Sequence, residues 1–223
     1  RMRHLIVVAV LAVLVGAGSA QVTSYYSWED GGMILGSFGN VADVSNVTGG
    51  QTGSQGSTLP DYFCPGAYHE TRYLHAAEDP HASTPQLYIA WVTNLNDGDL
   101  LTAGFYGYDL TPDASPSMRI WGHYSPSDDV NGYLGSAGGN DTYTAGLGWD
   151  AVEHTWTFAG GDGNALVIEA RLYSTPSTSD PDHTDYWIDF VTVTSPATTT
   201  QLFPGESTPA ENATWTAVKA MFR

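Results

Sequence analysis

Cysteine is almost absent: Cys64 stands alone in 223 residues, so no intrachain disulfide is possible and the core has to hold by burial alone. In YFCPG, its aromatic and proline neighbours mark Cys64 as a small buried apolar group, not a nucleophile. Positive charge is scarce too, with seven Lys+Arg against 24 Asp+Glu and a formal net charge of −17. Such a surface repels phosphate backbones and anionic lipid, which argues against nucleic acid as a partner. Neutral glycans and divalent cations remain compatible with it. Long apolar runs are missing except from Leu5 to Val15, which is too short to favour a membrane span. With Arg1 and Arg3 before it and Gly16-Ala-Gly-Ser-Ala20 after it, that run has the three-part pattern of a secretory signal peptide over residues 1–20; the alternative is an uncleaved anchor. The expectation is a secreted chain, extracellular or at the cell surface, with no stable membrane insertion after cleavage.

Helical periodicity is also lacking between Val22 and Pro196. Short alternating apolar runs are separated there by Gly, Pro, Asn and Asp clusters, the pattern of an all-β domain. The runs predict strands at Thr23–Trp28, Met33–Phe38, Ala42–Val47, Arg72–Ala77, Gln86–Thr93, Leu100–Asp109, Ser117–Tyr124, Gly132–Gly135, Val152–Phe158, Ala165–Tyr173 and Tyr186–Thr194. Turn chemistry marks joins such as NLNDGD at 94–99 and GGDGN at 160–164. Eleven strands in this length predict a two-sheet antiparallel β-sandwich, most simply a jelly roll, over residues 21–196. Residues 197–212 read as a Thr/Pro-rich linker. Residues 213–223, ATWTAVKAMFR, place Trp215, Val218 and Phe222 on one helical stripe and predict a short amphipathic tail suited to docking on a partner or the cell surface.

Catalytic signatures are missing. There is no Glu-x-Asp-x-Glu strand, Gly-x-Ser-x-Gly elbow, phosphate-cradling loop or His-Glu-x-x-His pair. His69, His75 and His81 cluster in HETRYLHAAEDPH, but their spacing does not match a transition-metal motif, and the chain is not read as an enzyme. Three sequons occur, at Asn46, Asn140 and Asn212.

Two constellations remain. In DYWIDFVTVTSP a carboxylate, Asp189, interrupts a β-branched and aromatic strand, where an unpaired buried charge is costly. Sandwich folds bring first and last strands together, so Glu29 of SYYSWEDGG is expected near Asp189, joined to it by a structural calcium ion that accepts carboxylate and backbone oxygens. The second constellation follows from alternation. Met118 and Ile120 suit the core, which turns Arg119, Trp121 and His123 outward; Leu166, Ile168, Ala170 and Leu172 suit the core, which turns Glu169, Arg171 and Tyr173 outward. Aromatic planes beside planar hydrogen-bonding groups suit a pyranose, so Arg119, Trp121, His123, Arg171 and Tyr173 are the candidate ligand residues, with Tyr106 and Tyr108 extending the surface. The plainer alternative is an Arg119–Glu169 cross-strand ion pair with Trp121 lying under a loop.

The order WEDG, PGAYHETRYLHA, QLYIAWVTNLNDGDLLTAGFYGYD, SMRIWGHY, WDAVEHTWTF, LVIEARLY and YWIDFVTV resembles the carbohydrate-binding modules appended to bacterial xylanases and glucanases, which share the galactose-binding-like jelly roll. The likeness spans roughly Trp28–Thr194. It implies a calcium-binding role for Glu29 and Asp189 and a polysaccharide or glycan partner. Phe190 stands where that family has a second Asp, and no small residue precedes Leu74 in AYHETRYLH. The leading expectation is thus a secreted, non-catalytic, calcium-stabilised carbohydrate-binding module. The alternatives are a structural surface or matrix protein that self-associates through the jelly roll and, lesser, a polysaccharide-active enzyme.

Overall fold

A computed structural model of the chain describes residues 20–49, 66–80, 84–109, 118–143, 148–173 and 184–205. Thirteen strands follow in order: β1 (Gln21–Tyr26), β2 (Gly36–Phe38), β3 (Val41–Thr48), β4 (Arg72–Glu78), β5 (Gln86–Thr93), β6 (Leu100–Tyr108), β7 (Met118–Ser125), β8 (Gly135–Gly138), β9 (Thr142–Tyr143), β10 (Asp150–Thr157), β11 (Ala165–Leu172), β12 (Thr184–Pro196) and β13 (Thr200–Leu202). One 3-10 turn at Gly161–Gly163 is the only helical element among the described residues.

The strands form two antiparallel sheets. Sheet A runs β10-β6-β12-β4-β3, with β1 also on β12; sheet B runs β13-β5-β11-β7-β8, with β2 on β5 and β9 on β7. Their inner faces enclose one core in which Trp28, Leu74, Ile89, Phe105, Ile120 and Ile168 are essentially inaccessible to water. Met118 and Ile120 of β7, and Leu166, Ile168, Ala170 and Leu172 of β11, all point into it as their alternation requires. The centre of sheet B is buried on both faces, because Tyr88, Trp91, Val167 and Leu202 form a second apolar cluster on its outer side. This explains why β5 and β11 read as nearly continuous apolar runs.

β12 organises sheet A. Its first half, to Ile188, pairs with β4; its last six residues, from Val191, pair with β1, on the same edge. The change of partner coincides with a register shift between Asp189 and Thr192, and Phe190 sits there at φ +49°. At this gap the segment running into β4, residues 66–71, meets the sheet. The turn after β1 lies close by. Trp28, at φ +61° and fully buried, donates its indole N–H to Met33 O, and Asn46 of β3 donates to Trp28 O and Gly32 O. Asn46 Oδ1 accepts from Arg72 Nε, so this sequon amide is committed to internal hydrogen bonds, whereas Asn140 is exposed.

Several expectations need correction. The run at Gly132–Gly135 is not a strand; β8 begins at Gly135, since Asp129 closes a turn by accepting from Gly132 N and Asn131 N. Two short strands, β9 and β13, carried no periodic signal because two or three residues cannot show one. Residues 197–205 are not a free linker. Thr200–Leu202 pairs with β5, Leu202 and Phe203 are buried, and Phe203 stacks on Tyr26 at 5.8 Å. Gly32 abuts the backbone there: a Cβ on it would come within 2.5 Å of Gly205 N. Residues 1–19 of the signal peptide, Cys64, His81, Asn212, the rest of the linker and the amphipathic tail lie outside the described residues. Phe203→Ala should therefore destabilise the domain by about 3–5 kcal/mol, the range for truncating a buried aromatic. Thermal and urea unfolding read this directly, and an unchanged midpoint would show that residues 200–203 do not belong to the core.

Candidate functional site

The outward rows of β7 and β11 lie side by side on sheet B. Trp121 faces Glu169, Arg119 faces Arg171, and His123 faces Val167. Glu169 is fully buried, so its charge has to be answered locally. It is answered twice: Arg171 Nε donates to Oε2 at 2.7 Å, and His123 Nδ1 lies 2.5 Å from Oε1. With an ionised carboxylate as acceptor, Nδ1 carries the proton, leaving Nε2 as a buried nitrogen without a hydrogen-bond partner among the described residues. Two cation–π contacts continue the set. The Arg171 guanidinium lies 4.4 Å from the centre of the Trp121 ring, and that of Arg119 lies 5.2 Å from the Tyr173 ring. The Trp121 indole N–H donates to Ser136 Oγ at 2.8 Å.

Arg171 also forms part of the wall of an open cleft of about 450 Å³, together with Phe38, Gln86, Tyr88, Asn131 and Tyr133. That size falls in the range of ligand sites, about 300–1,000 Å³. Phe38 and Tyr133 are exposed by 61% and 65%, so two aromatic faces stand free at its rim. Tyr88 and Tyr133 contact the ring of His123 edge-on or tilted, at 5.0 and 5.6 Å. Burial raises the Tyr88 hydroxyl above its usual range, and the Glu169 charge adds to this, so it remains a neutral donor.

The structure therefore brings Arg119, Trp121, His123, Arg171 and Tyr173 together on one face, with differences of detail. His123 is buried instead of offering a surface contact. Glu169 pairs with Arg171 and His123, not with Arg119, and Trp121 is partly exposed. Tyr106 and Tyr108 do not extend this surface, because β6 belongs to sheet A and their side chains leave the sandwich on its opposite side. Alternation tells inward from outward but not one outer face from the other. Phe38, Gln86, Tyr88, Asn131 and Tyr133 were not anticipated as site residues: Phe38, Gln86, Tyr88 and Tyr133 carried only strand expectations, and only the fold shows that they meet beside Arg171.

Glu29 and Asp189 meet through the chain between them. Glu29 accepts from Thr71 N, Thr71 Oγ1 and Arg72 N at 2.8, 2.8 and 2.6 Å, while Asp189 accepts from His69 N at 2.8 Å and Phe190 N at 2.7 Å. Both carboxylates thus tie residues 69–72 to the sandwich. Burial favours the neutral form of Glu29, but the Thr71 and Arg72 hydrogen bonds and the Arg72 charge outweigh it and hold the carboxyl below its usual range. At Asp189 burial wins over the backbone donors, and the carboxyl is pushed up to about 6. No cluster of three His, Cys, Asp or Glu side chains occurs among the described residues. Both side chains offer carboxylate oxygen and no Lys or Arg is bonded to Asp189, a chemistry that suits a hard cation completed by backbone carbonyls.

No family model matches the chain, and no curated protein matches it. Solved structures similar to it include the CBM22-1 xylan-binding domain from Paenibacillus barcinonensis Xyn10C, at 15% identity and a TM-score of 0.46, covering 81% of this chain and 98% of that one. The CBM22-2 xylan-binding domain of the same protein matches at 13% identity and a TM-score of 0.45 over 77% of this chain and 98% of that one. The K3 cleaved adhesin domain of Lys-gingipain from Porphyromonas gingivalis matches at 14% identity and a TM-score of 0.40, over 78% of this chain and 98% of that one. The likeness is one of β-sandwich architecture.

Two outcomes follow. Glu169→Ala leaves Arg171 and His123 facing each other without their carboxylate and should lower stability by about 3–5 kcal/mol, as when one member of a buried ion pair is removed; a loss below ~1 kcal/mol would mean the carboxylate is not the organiser. In chelator, the raised Asp189 carboxyl means that the folded state holds this proton more tightly than the unfolded one. Its contribution is therefore fully present below the ordinary carboxylate range and is lost as pH rises to about 6. The stability difference between the native chain and Asp189→Asn should shift against the native chain across that window, and a difference that is flat with pH would contradict it.

Proposed function

We propose that this chain is a secreted, non-catalytic module that binds a polysaccharide in the cleft on the outer face of sheet B. The observation that carries this reading is the Glu169–Arg171–Trp121 arrangement. A buried carboxylate fixes a guanidinium, the guanidinium lies against an indole, and the same guanidinium forms one wall of an open cleft rimmed by Phe38 and Tyr133. A pyranose presents an apolar C–H face, which stacks on aromatic rings, and an edge of hydroxyls, which bond to planar donors and acceptors such as Arg171, Gln86 and Asn131. Rings and guanidinium are already held in place, so little side-chain freedom is lost on binding. Glu169 is engaged with Arg171 and His123, which suits positioning and leaves it no access to a glycosidic bond. Export is the expectation attached to the apolar leader at residues 1–20.

A structural calcium ion belongs to the same reading. Glu29 and Asp189 would hold it, and its charge would favour the ionised form of Asp189 while fastening residues 69–72 to the sheet. Binding confined to the folded state raises apparent stability by mass action, so a chelator should lower the melting temperature and calcium should restore it. An unchanged melting temperature removes the ion from the account and leaves the hydrogen bonds as the sole fastening.

The cleft is tested with Trp121→Ala and Arg171→Ala by affinity electrophoresis through soluble xylan, mixed-linkage β-glucan and galactomannan. Each should lose about tenfold or more in affinity, as when an interface anchor worth ~2 kcal/mol is truncated. Trp121→Ala should remain folded, because the ring lies outside the core clusters. Retention equal to the native chain in every gel that retards it would place binding elsewhere.

A further inference from the structure

The outer face of sheet A, on the far side of the sandwich from the cleft, carries aromatic residues that the proposed site does not use. Tyr25 of β1 is 62% exposed and Tyr68 of the incoming segment is 44% exposed. The Tyr68 ring stacks on Tyr106 at 3.5 Å and 15° between planes. Phe190 sits between them, 5.4 Å from Tyr25, 6.0 Å from Tyr68 and 6.3 Å from Tyr106, with His69 beside it at 4.7 Å. These rings form a continuous strip across β1, β12 and β6. Phe190 reaches its place only by adopting φ +49°, a conformation that side-chain-bearing residues seldom take. Backbone held in this way at a bulge re-aims a side chain and tends to mark a functional surface.

We infer that this strip is a second carbohydrate-binding platform, so that the module presents a sugar-binding face on each sheet. The choice of ligand class rests on the polysaccharide reading above; the strip itself stands on its own geometry. Charge and surroundings select the occupant. A second copy would bring together two surfaces of a chain with 24 acidic and seven basic residues, which repel. The guanidinium of Arg72, nearby, is already bonded to Asn46 and Thr48. An uncharged glycan meets no such repulsion. Its hydroxyls would find the Thr23–Thr194 hydroxyl pair at the end of the strip, and its C–H faces would find Tyr25 and Tyr68. The buried Asp189 holds the strip together, since its carboxylate accepts the amides of both His69 and Phe190.

Two faces pointing in opposite directions cannot both grip one short chain, but they can cross-link long ones. Titrated into soluble xylan, mixed-linkage β-glucan or galactomannan, the native protein should therefore raise turbidity near equivalence in the polymer that retards it on a gel. Tyr25→Ala/Tyr68→Ala, whose truncated rings lie outside the core clusters, should remain folded, still be retarded, and lose the turbidity. Trp121→Ala should also bind without cross-linking, and the triple variant should bind at least about tenfold more weakly than either. The platform is overturned if Trp121→Ala alone abolishes all retardation, which leaves the cleft standing. It is equally overturned if the Tyr25/Tyr68 variant clouds the polymer as the native protein does, or if light scattering shows a native dimer that these two substitutions dissociate. Retardation lost with Tyr25 and Tyr68 but kept without Trp121 would sink the cleft and keep the platform. No retardation of the native chain in any gel would sink both.

Discussion

A single carboxylate, that of Glu169, sets the character of the proposed binding face. It lies at the centre of sheet B, shielded from water, where an ionised group is tolerated only if its oxygens find donors. Arg171 and His123 meet that demand, and in doing so they lose their freedom. Arg171 is then held over the Trp121 ring, and His123 against Tyr88 and Tyr133. Removing the charge would free Arg171 and His123 and, through them, the rings they hold. The cleft is thus shaped from below by electrostatics and bounded above by aromatic side chains, a division that gives rigid walls without a disulfide anywhere in the chain.

The same logic recurs on the opposite sheet with a different outcome. Asp189 is buried where β12 changes partner from β4 to β1, and it is met by backbone amides instead of a guanidinium. Amides supply hydrogen bonds but no net charge, so its carboxyl remains displaced upward, whereas Glu29, bonded to Thr71 and Arg72, is displaced downward. Two acids fasten one segment, and only Glu29 has an arginine beside it. That imbalance is the physical reason to look for a cation there, and it also explains how an aromatic strip comes to be anchored over the bulge.

Much of the architecture was legible in the sequence, for identifiable reasons. β5 and β11 emerged almost residue for residue because their β-branched and aromatic runs are bounded by turn residues on both sides. Met118 and Ile120 announced the inner face of β7 by alternation alone, and Arg119 and Arg171, two of the few basic residues, pointed to the outer one. Other features were not legible. Nothing local distinguishes Tyr106 from Trp121, since both are outward aromatics and only the sheet order separates them by the thickness of the sandwich. His123 looked like a surface contact because alternation cannot see Tyr88 and Tyr133 closing over it. Thr200–Leu202 looked like linker because threonine-rich composition is shared by edge strands and loops, and its pairing with β5 is a long-range fact. Glu29 and Asp189 were expected near each other; that each grips residues of one intervening segment is visible only once that segment is placed.

The central claim is that an immobilised Arg171–Trp121 pair on sheet B receives the sugar. Nuclear magnetic resonance of the native protein tests it most directly, following the Trp121 indole N–H and the Arg171 Nε–H during titration with whichever soluble polysaccharide fragment retards the protein on a gel. Both resonances should shift in proportion to saturation, while the indole of Trp28, buried in the core, stays still. Saturation reached with the Trp121 and Arg171 signals unmoved would contradict the account, because the ligand would then be held somewhere other than the cleft that Glu169 organises.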